Sequence, residues 1–206
     1  LQSFMDYPLT VGGRTALEEL GFAHYLGEQR EVHLYGPSQP PGWLAKLPLQ
    51  TTFRWHNSAR LFDDKNERSA HAPQPNETPS LLPNGFMASG GTMRWPLRLS
   101  SAERAVLEWL DELPTRDSFH HLDMVMEGLA NLSPRRLQTL LENCRNVKVK
   151  RLFFYFADRH RHAWLDQLDK STIDLGSGKR HLVKGGKLDA TYLITVPEDM
   201  HGQIMR

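Results

Sequence analysis

The chain has 206 residues, 39% hydrophobic and 24% charged, with a mean hydropathy of −0.51: the composition of an ordinary soluble protein, long enough for one sizeable domain or two small ones. No apolar run approaches the roughly 20 residues of a membrane-spanning helix, no signal-peptide pattern opens the chain, and Cys144 as the single cysteine excludes an internal disulfide, so a reducing cytoplasm is the expected compartment. The net charge of +1 conceals a polarity: residues 100–133 hold Arg104 and Arg116 against seven acidic side chains (net −5), whereas residues 134–187 hold thirteen Lys/Arg against five Asp/Glu (net +8).

In chain order, Leu1-Gln2-Ser3-Phe4-Met5 reads as the continuation of something longer. Gly12-Gly13 opens a helix over 14–20 that Gly21 closes, with Val11, Ala16, Leu17 and Leu20 on its buried face. Short strands are predicted at 31–35 and 51–55, a proline-started helical turn at 40–47, and a third strand at 59–62. Residues 63–80 contain no Leu, Ile, Val or aromatic residue, and they contain three prolines, so a long surface loop is expected. Phe86–Ser89 and Met93–Leu99 read as a hairpin, with Pro96 marking an edge strand.

From Leu99 the periodicity turns helical. Ser100 or Ser101 caps a helix that Pro114 ends, and Asp117 caps the next, running to Leu132. Ser133 as N-cap and Pro134 at the first helical position begin a third, with Leu137, Leu140, Leu141 and Cys144 on one face. Residues 147–156 alternate like a strand at Val147-Lys148-Val149-Lys150, yet Val149, Leu152, Phe153 and Phe156 fit a helical stripe, and the reading taken is a buried helix. A short helix at 162–168 follows, then strands at 180–183 and 190–196 around Gly185-Gly186. The expected class is α+β (mixed α/β): a small β-rich part at 1–99, a helical portion at 100–206, and a C-terminal β-hairpin.

Motifs for catalysis are absent or broken. Asp174-Leu175-Gly176-Ser177-Gly178-Lys179-Arg180 departs from a phosphate-binding loop at Ile173, where a glycine is required, and at Arg180, where Ser or Thr is required. It reads as a glycine turn into a basic segment. There is no G-x-S-x-G. Glu31-Val32-His33 stands one residue from the E-x-K of a restriction-nuclease-like site but lacks the lysine. His120, His121, His160 and His162 lack metal-ligand spacing. No enzyme, metal or cofactor is therefore expected; the competing readings are a protein-interaction module and a divergent, inactive nuclease-like domain.

The +8 segment is what a polyanion-binding surface requires. The expected contacts are Arg135 and Arg136 at the start of a capped helix, as a helix-turn-helix presents them, with Lys148, Lys150, Arg151, Lys179, Arg180, Lys184 and Lys187. That holds only if these groups face solvent together. The competing outcome is internal pairing with the carboxylates of 100–133.

The ordered set Gly12-Gly13-Arg14-Thr15-Ala16-Leu17-Glu18-Glu19-Leu20-Gly21, Glu31-Val32-His33-Leu34-Tyr35-Gly36, Leu132-Ser133-Pro134-Arg135-Arg136-Leu137 and Val147–Phe153 through Asp174–Arg180 resembles the antitoxin domain of AbiEi-type proteins. These belong to bacterial type IV toxin–antitoxin (abortive infection, phage defence) systems. The resemblance implies a winged helix-turn-helix that represses its own promoter at operator DNA. The domain after it counters a nucleotidyltransferase-like toxin without a stable complex, and its basic surface helps hold DNA. The winged helix has no counterpart here, in keeping with the start at Leu1.

Overall fold

Six strands with one short helix among them precede a run of four helices, and a strand pair closes the chain, so the fold is α+β. The computed structural model describes residues 8–22, 30–62, 81–82, 86–89 and 97–202. It divides into two units, Leu1–Val106 and Leu107–Arg206. The loop expected at 63–80 lies outside the described residues.

The first unit is built on a mixed six-stranded sheet. Its strands are β1 (Thr10–Val11), β2 (Arg30–Gly36), β3 (Thr51–Asn57), β4 (Leu81–Leu82), β5 (Phe86–Ser89) and β6 (Leu97–Ser100), in the order β3-β2-β1-β6-β5-β4. β2 and β3 run parallel, as do β1 and β6; the other pairs are antiparallel. Helix α1 (Gly13–Glu19) buries Ala16 and Leu17 completely. Thr15 ties it to β2, its hydroxyl accepting from the His33 amide (2.9 Å) and donating to the Glu31 carbonyl (3.3 Å). Gly13 has φ +53°, and a Cβ there would stand 2.6 Å from the Tyr35 hydroxyl, so only glycine lets that ring lie against the helix start.

Two expectations fail here. Ser58–Arg60 is a 3-10 turn rather than a strand, because the Asn57 side chain accepts from the Ala59 amide (3.1 Å) and turns the chain. β6 is not an edge strand: it pairs with β1 on one side and β5 on the other, while Met93–Pro96 lie outside the described residues.

Helix α2 (Ala102–Glu112) begins after Ser101, whose hydroxyl accepts from the Arg104 amide (3.4 Å), and runs through the unit boundary. The second unit adds α3 (Phe119–Gly128), α4 (Pro134–Asn143) and α5 (Val147–His160), with β7 (Lys187–Asp189) and β8 (Ile194–Val196) as an antiparallel pair. Ser118, not Asp117, caps α3 by accepting from His121 N (3.1 Å). The Asp117 carboxylate is committed to Trp109 Nε1 (2.7 Å) and His121 Nδ1 (3.0 Å). Ser133 and Pro134 start α4 as expected.

Residues 147–156 are helical. Asn146 caps them by accepting from Lys148 N (3.0 Å), and Val149–Ala157 are buried on every side. The α5 aromatics form the centre of this unit: Phe153 meets Phe154 (5.5 Å between centroids) and Trp164 (5.6 Å), and Phe156 meets Phe119 (5.9 Å). The short helix expected at 162–168 is a 3-10 turn, Leu165–Gln167.

The C-terminal hairpin is present with a different first strand. Residues 180–183 make one isolated parallel bridge, Arg180 to Ile194, and β8 pairs with 187–189 instead. The Thr195 hydroxyl accepts from Leu182 N (2.7 Å) and Val183 N (2.9 Å), taking the donors a ladder would need. Gly186 passes so close to β8 that a Cβ would stand 2.4 Å from the Val196 carbonyl oxygen.

Among the described residues no helix is long and apolar enough to cross a membrane.

The turn after β8 is pinned to α5 where the Tyr155 hydroxyl donates to Met200 O (2.8 Å). Burial raises the pKa of that phenol from 10.0 to about 12. The neutral form belongs to the folded state, so this contribution is complete below pH 10 and is lost as pH rises through about 12. Tyr155→Phe is expected to cost about 1 kcal/mol at pH 8 through the lost hydrogen bond. It should also flatten the alkaline decline, seen as a smaller difference between urea midpoints at pH 8 and pH 11.

Candidate nucleic-acid interface

α5 begins with three of the expected contacts, and the geometry turns them inward. Arg151 is 2% exposed and Lys150 is 5% exposed. Arg151 Nε donates to Leu175 O (2.7 Å), and its Nη1 donates to Gly178 O (2.6 Å) and Leu193 O (3.4 Å). Burial, and then the neighbouring Arg180 charge, push the Arg151 guanidinium below its ordinary range. Lys148 Nζ donates to Asp111 O (2.6 Å) and Leu113 O (2.9 Å) and lies 3.4 Å from the Asp111 carboxylate. The solvent-facing role expected of Lys148, Lys150 and Arg151 is therefore corrected. Val149–Ala157 are buried on every side, and Arg151 and the half-buried Lys148 serve carbonyl groups instead.

The acidic segment neutralises part of the basic one. Asp123 on α3 accepts from Arg159 Nε (2.8 and 3.1 Å) and lies 2.8 Å from His160 Nε2. With Lys148–Asp111, this is the internal pairing weighed above, realised at two places.

What remains outside lies on the glycine turn that Arg151 holds from beneath. Asp174 Oδ1 accepts from Gly176 N (2.7 Å), and Gly176 and Gly178 take left-handed conformations (φ +61° and +77°). Three carbonyl bonds to Arg151 set the course of 175–193, and Lys179, Arg180 and Lys184 emerge exposed. None of these three has an ion-pair partner among the described residues. Lys187 is exposed but paired with Glu198 (2.7 Å), a surface bridge of small energy. Arg135 is exposed at the start of α4 and Arg136 is half-buried beside it. The expected single sheet of charge is thus divided: Arg151 is buried under the turn, Lys150 is buried and Lys148 half-buried on α5, and the exposed cations stand on the turn and at the start of α4. Arg161, the left-handed C-cap of α5 (φ 49°), is a further exposed cation that no motif signals.

The histidines noted in the sequence take structural partners. His120 pairs with Asp199 (2.5 Å), His121 with Asp117, and His160 with Asp123, while His162 Nε2 lies 2.8 Å from Met126 O.

Residues 29–197 match the family described as "Transcriptional regulator, AbiEi antitoxin, Type IV TA system". The chain belongs to the AbiEi antitoxin family. No curated protein and no solved structure matches it. In this AbiEi-family chain the matched span contains β2, β3, all of α2 to α5 and the glycine turn. The family is one of regulators and antitoxins, which implies DNA and a toxin as partners in general terms.

Proposed function

We propose that this chain is the antitoxin part of a type IV system, acting in the cytoplasm without catalysis of its own. It counters a nucleotidyltransferase-like toxin functionally rather than through a stable complex, and assists autoregulation by holding operator DNA with its basic surface. The observation that carries the DNA reading is the glycine turn: Lys179, Arg180 and Lys184 stand exposed on a segment whose backbone Arg151 anchors. Cations placed this way suit phosphates, which supply affinity and orientation without reading sequence. Arg135 is the second exposed position, and Lys187 joins once its bridge to Glu198 opens.

Lys179→Ala, Arg180→Ala and Lys184→Ala combined in the full-length protein are expected to weaken operator binding. The log–log salt slope should become shallower by about 2–3, at roughly 0.9 for each phosphate no longer neutralised. Fluorescence anisotropy across a salt series measures both quantities. Equal affinity and equal slope would remove the turn from the interface.

A further inference from the structure

β2 and β3 carry a group of side chains that DNA binding does not use. Their parallel register sets Tyr35 opposite His56 and His33 opposite Arg54. His33 is 5% exposed and His56 is half-buried, so the pair is enclosed on one side and reachable on the other. His33 Nδ1 lies 3.1 Å from His56 Nε2, with the ring planes within 11° of parallel. Glu31 Oε2 stands 3.5 Å from His33 Nε2, while Oε1 accepts from Arg54 Nε (2.5 Å). The Tyr35 ring lies parallel to His56 at 4.6 Å and fixes its orientation.

We propose that His33 and His56 form a binding site for a divalent first-row transition metal of the zinc class, the ion taking the place of the proton the two imidazoles share.

Imidazole nitrogen suits zinc, nickel and copper. At zinc–nitrogen distances of about 2.0–2.1 Å, two ligands of a tetrahedral ion sit roughly 3.3–3.4 Å apart. The pair reaches that from its present 3.1 Å by opening a few tenths of an ångström. The carboxylate beside His33 Nε2 favours the proton on that nitrogen and leaves the Nδ1 lone pair facing His56. This carboxylate–histidine arrangement is what orients metal-binding imidazoles. The proton on His56 Nε2 passes through solvent to Nδ1 of the same ring, so both ligands stay neutral. The ion would cross-link two neighbouring strands of the sheet.

Isothermal titration of the chelator-treated full chain with zinc chloride tests this, with cobalt(II) absorption as a second readout. One ion per chain is expected. His33→Gln and His56→Gln should each weaken binding by at least the roughly tenfold that loss of even an outer-sphere partner costs, and His160→Gln should leave it unchanged. Should the buried His33 variant fail to fold, the half-buried His56 variant and the ring ¹⁵N shifts of both histidines in the unsubstituted chain give the answer. Binding that survives in His56→Gln, shifts confined to other histidines, or no uptake by the folded chain at millimolar zinc would overturn the assignment.

Discussion

Arg151→Ala is expected to lose about 2–3 kcal/mol of stability, because it removes the charged donor from the Leu175 and Gly178 carbonyls, while Leu193 O keeps the Arg180 amide (2.8 Å). The side chain that serves all three carbonyls is 2% exposed. The environment disfavours a charge there, since burial lowers the guanidinium's affinity for its proton. What offsets that cost is the set of carbonyl dipoles, which no smaller side chain can gather. Arg151→Lys keeps the charge but lacks the planar fork, so it should fall between the two. In urea titrations the midpoint should drop while the slope stays constant, the sign of a pure stability change. A midpoint within error of the unaltered chain would show that the turn holds its shape unaided. The same geometry explains why charge reversal at Lys148, Lys150 or Arg151 is a poor probe of DNA contact. It would report unfolding before it reported binding.

Trp109→Ala should cost about 3–5 kcal/mol, the range for deleting a fully buried aromatic side chain. Trp109 is 0% exposed, its indole N–H donates to Asp117 Oδ2 (2.7 Å), and its ring meets His121 edge-on at 4.9 Å. Loss of the ring therefore removes packing on α2 and one of the bonds that hold the Asp117 carboxylate at the entry to α3. Trp109→Phe separates the two effects: it keeps most of the apolar volume and should cost about 1–2 kcal/mol, chiefly for the hydrogen bond lost at Asp117 Oδ2, since Oδ1 keeps His121 and the Ser118 amide. A double-mutant cycle with Asp117→Asn should then show coupling between the two positions. Additive losses would mean that the bond contributes nothing beyond its parts.

Local signals carried the helical half. Ser133-Pro134 started α4 where a cap and a helix-compatible proline stand together, and Leu137, Leu140 and Leu141 are buried as their spacing requires. The Val147–His160 segment was ambiguous because its alternation and its helical stripe overlap. Asn146, whose side chain caps the first turn, is the local feature that favours helix. The α+β class was legible for the same reason: the main change in the period of the apolar residues, from strands to a run of helices, falls near Leu99. The family match over 29–197 covers most of that same ordered set of motifs.

The interface was only partly legible. A charge count over residues 134–187 located the basic segment but cannot tell Arg151 from Arg180, which are alike in sequence and opposite in exposure. The difference arises because Val149–Ala157 of α5 are enclosed on all sides, and enclosure is a property of their neighbours. The strand assignment at 180–183 failed for a similar reason, since the Thr195 hydroxyl, 12 or 13 residues away, takes the donors of Leu182 and Val183. His33 and His56 lie 23 positions apart and meet only through the parallel register of β2 and β3.

Caps, turns and apolar periodicity act over a few residues, so the chain's own order of side chains determined its helices, its fold class and the segment rich in cations. Which of those cations reach solvent, which strand completes the hairpin, and that two distant histidines come within hydrogen-bond distance were decided by tertiary structure. Burial, register and long-range hydrogen bonds exist only once separate segments have packed.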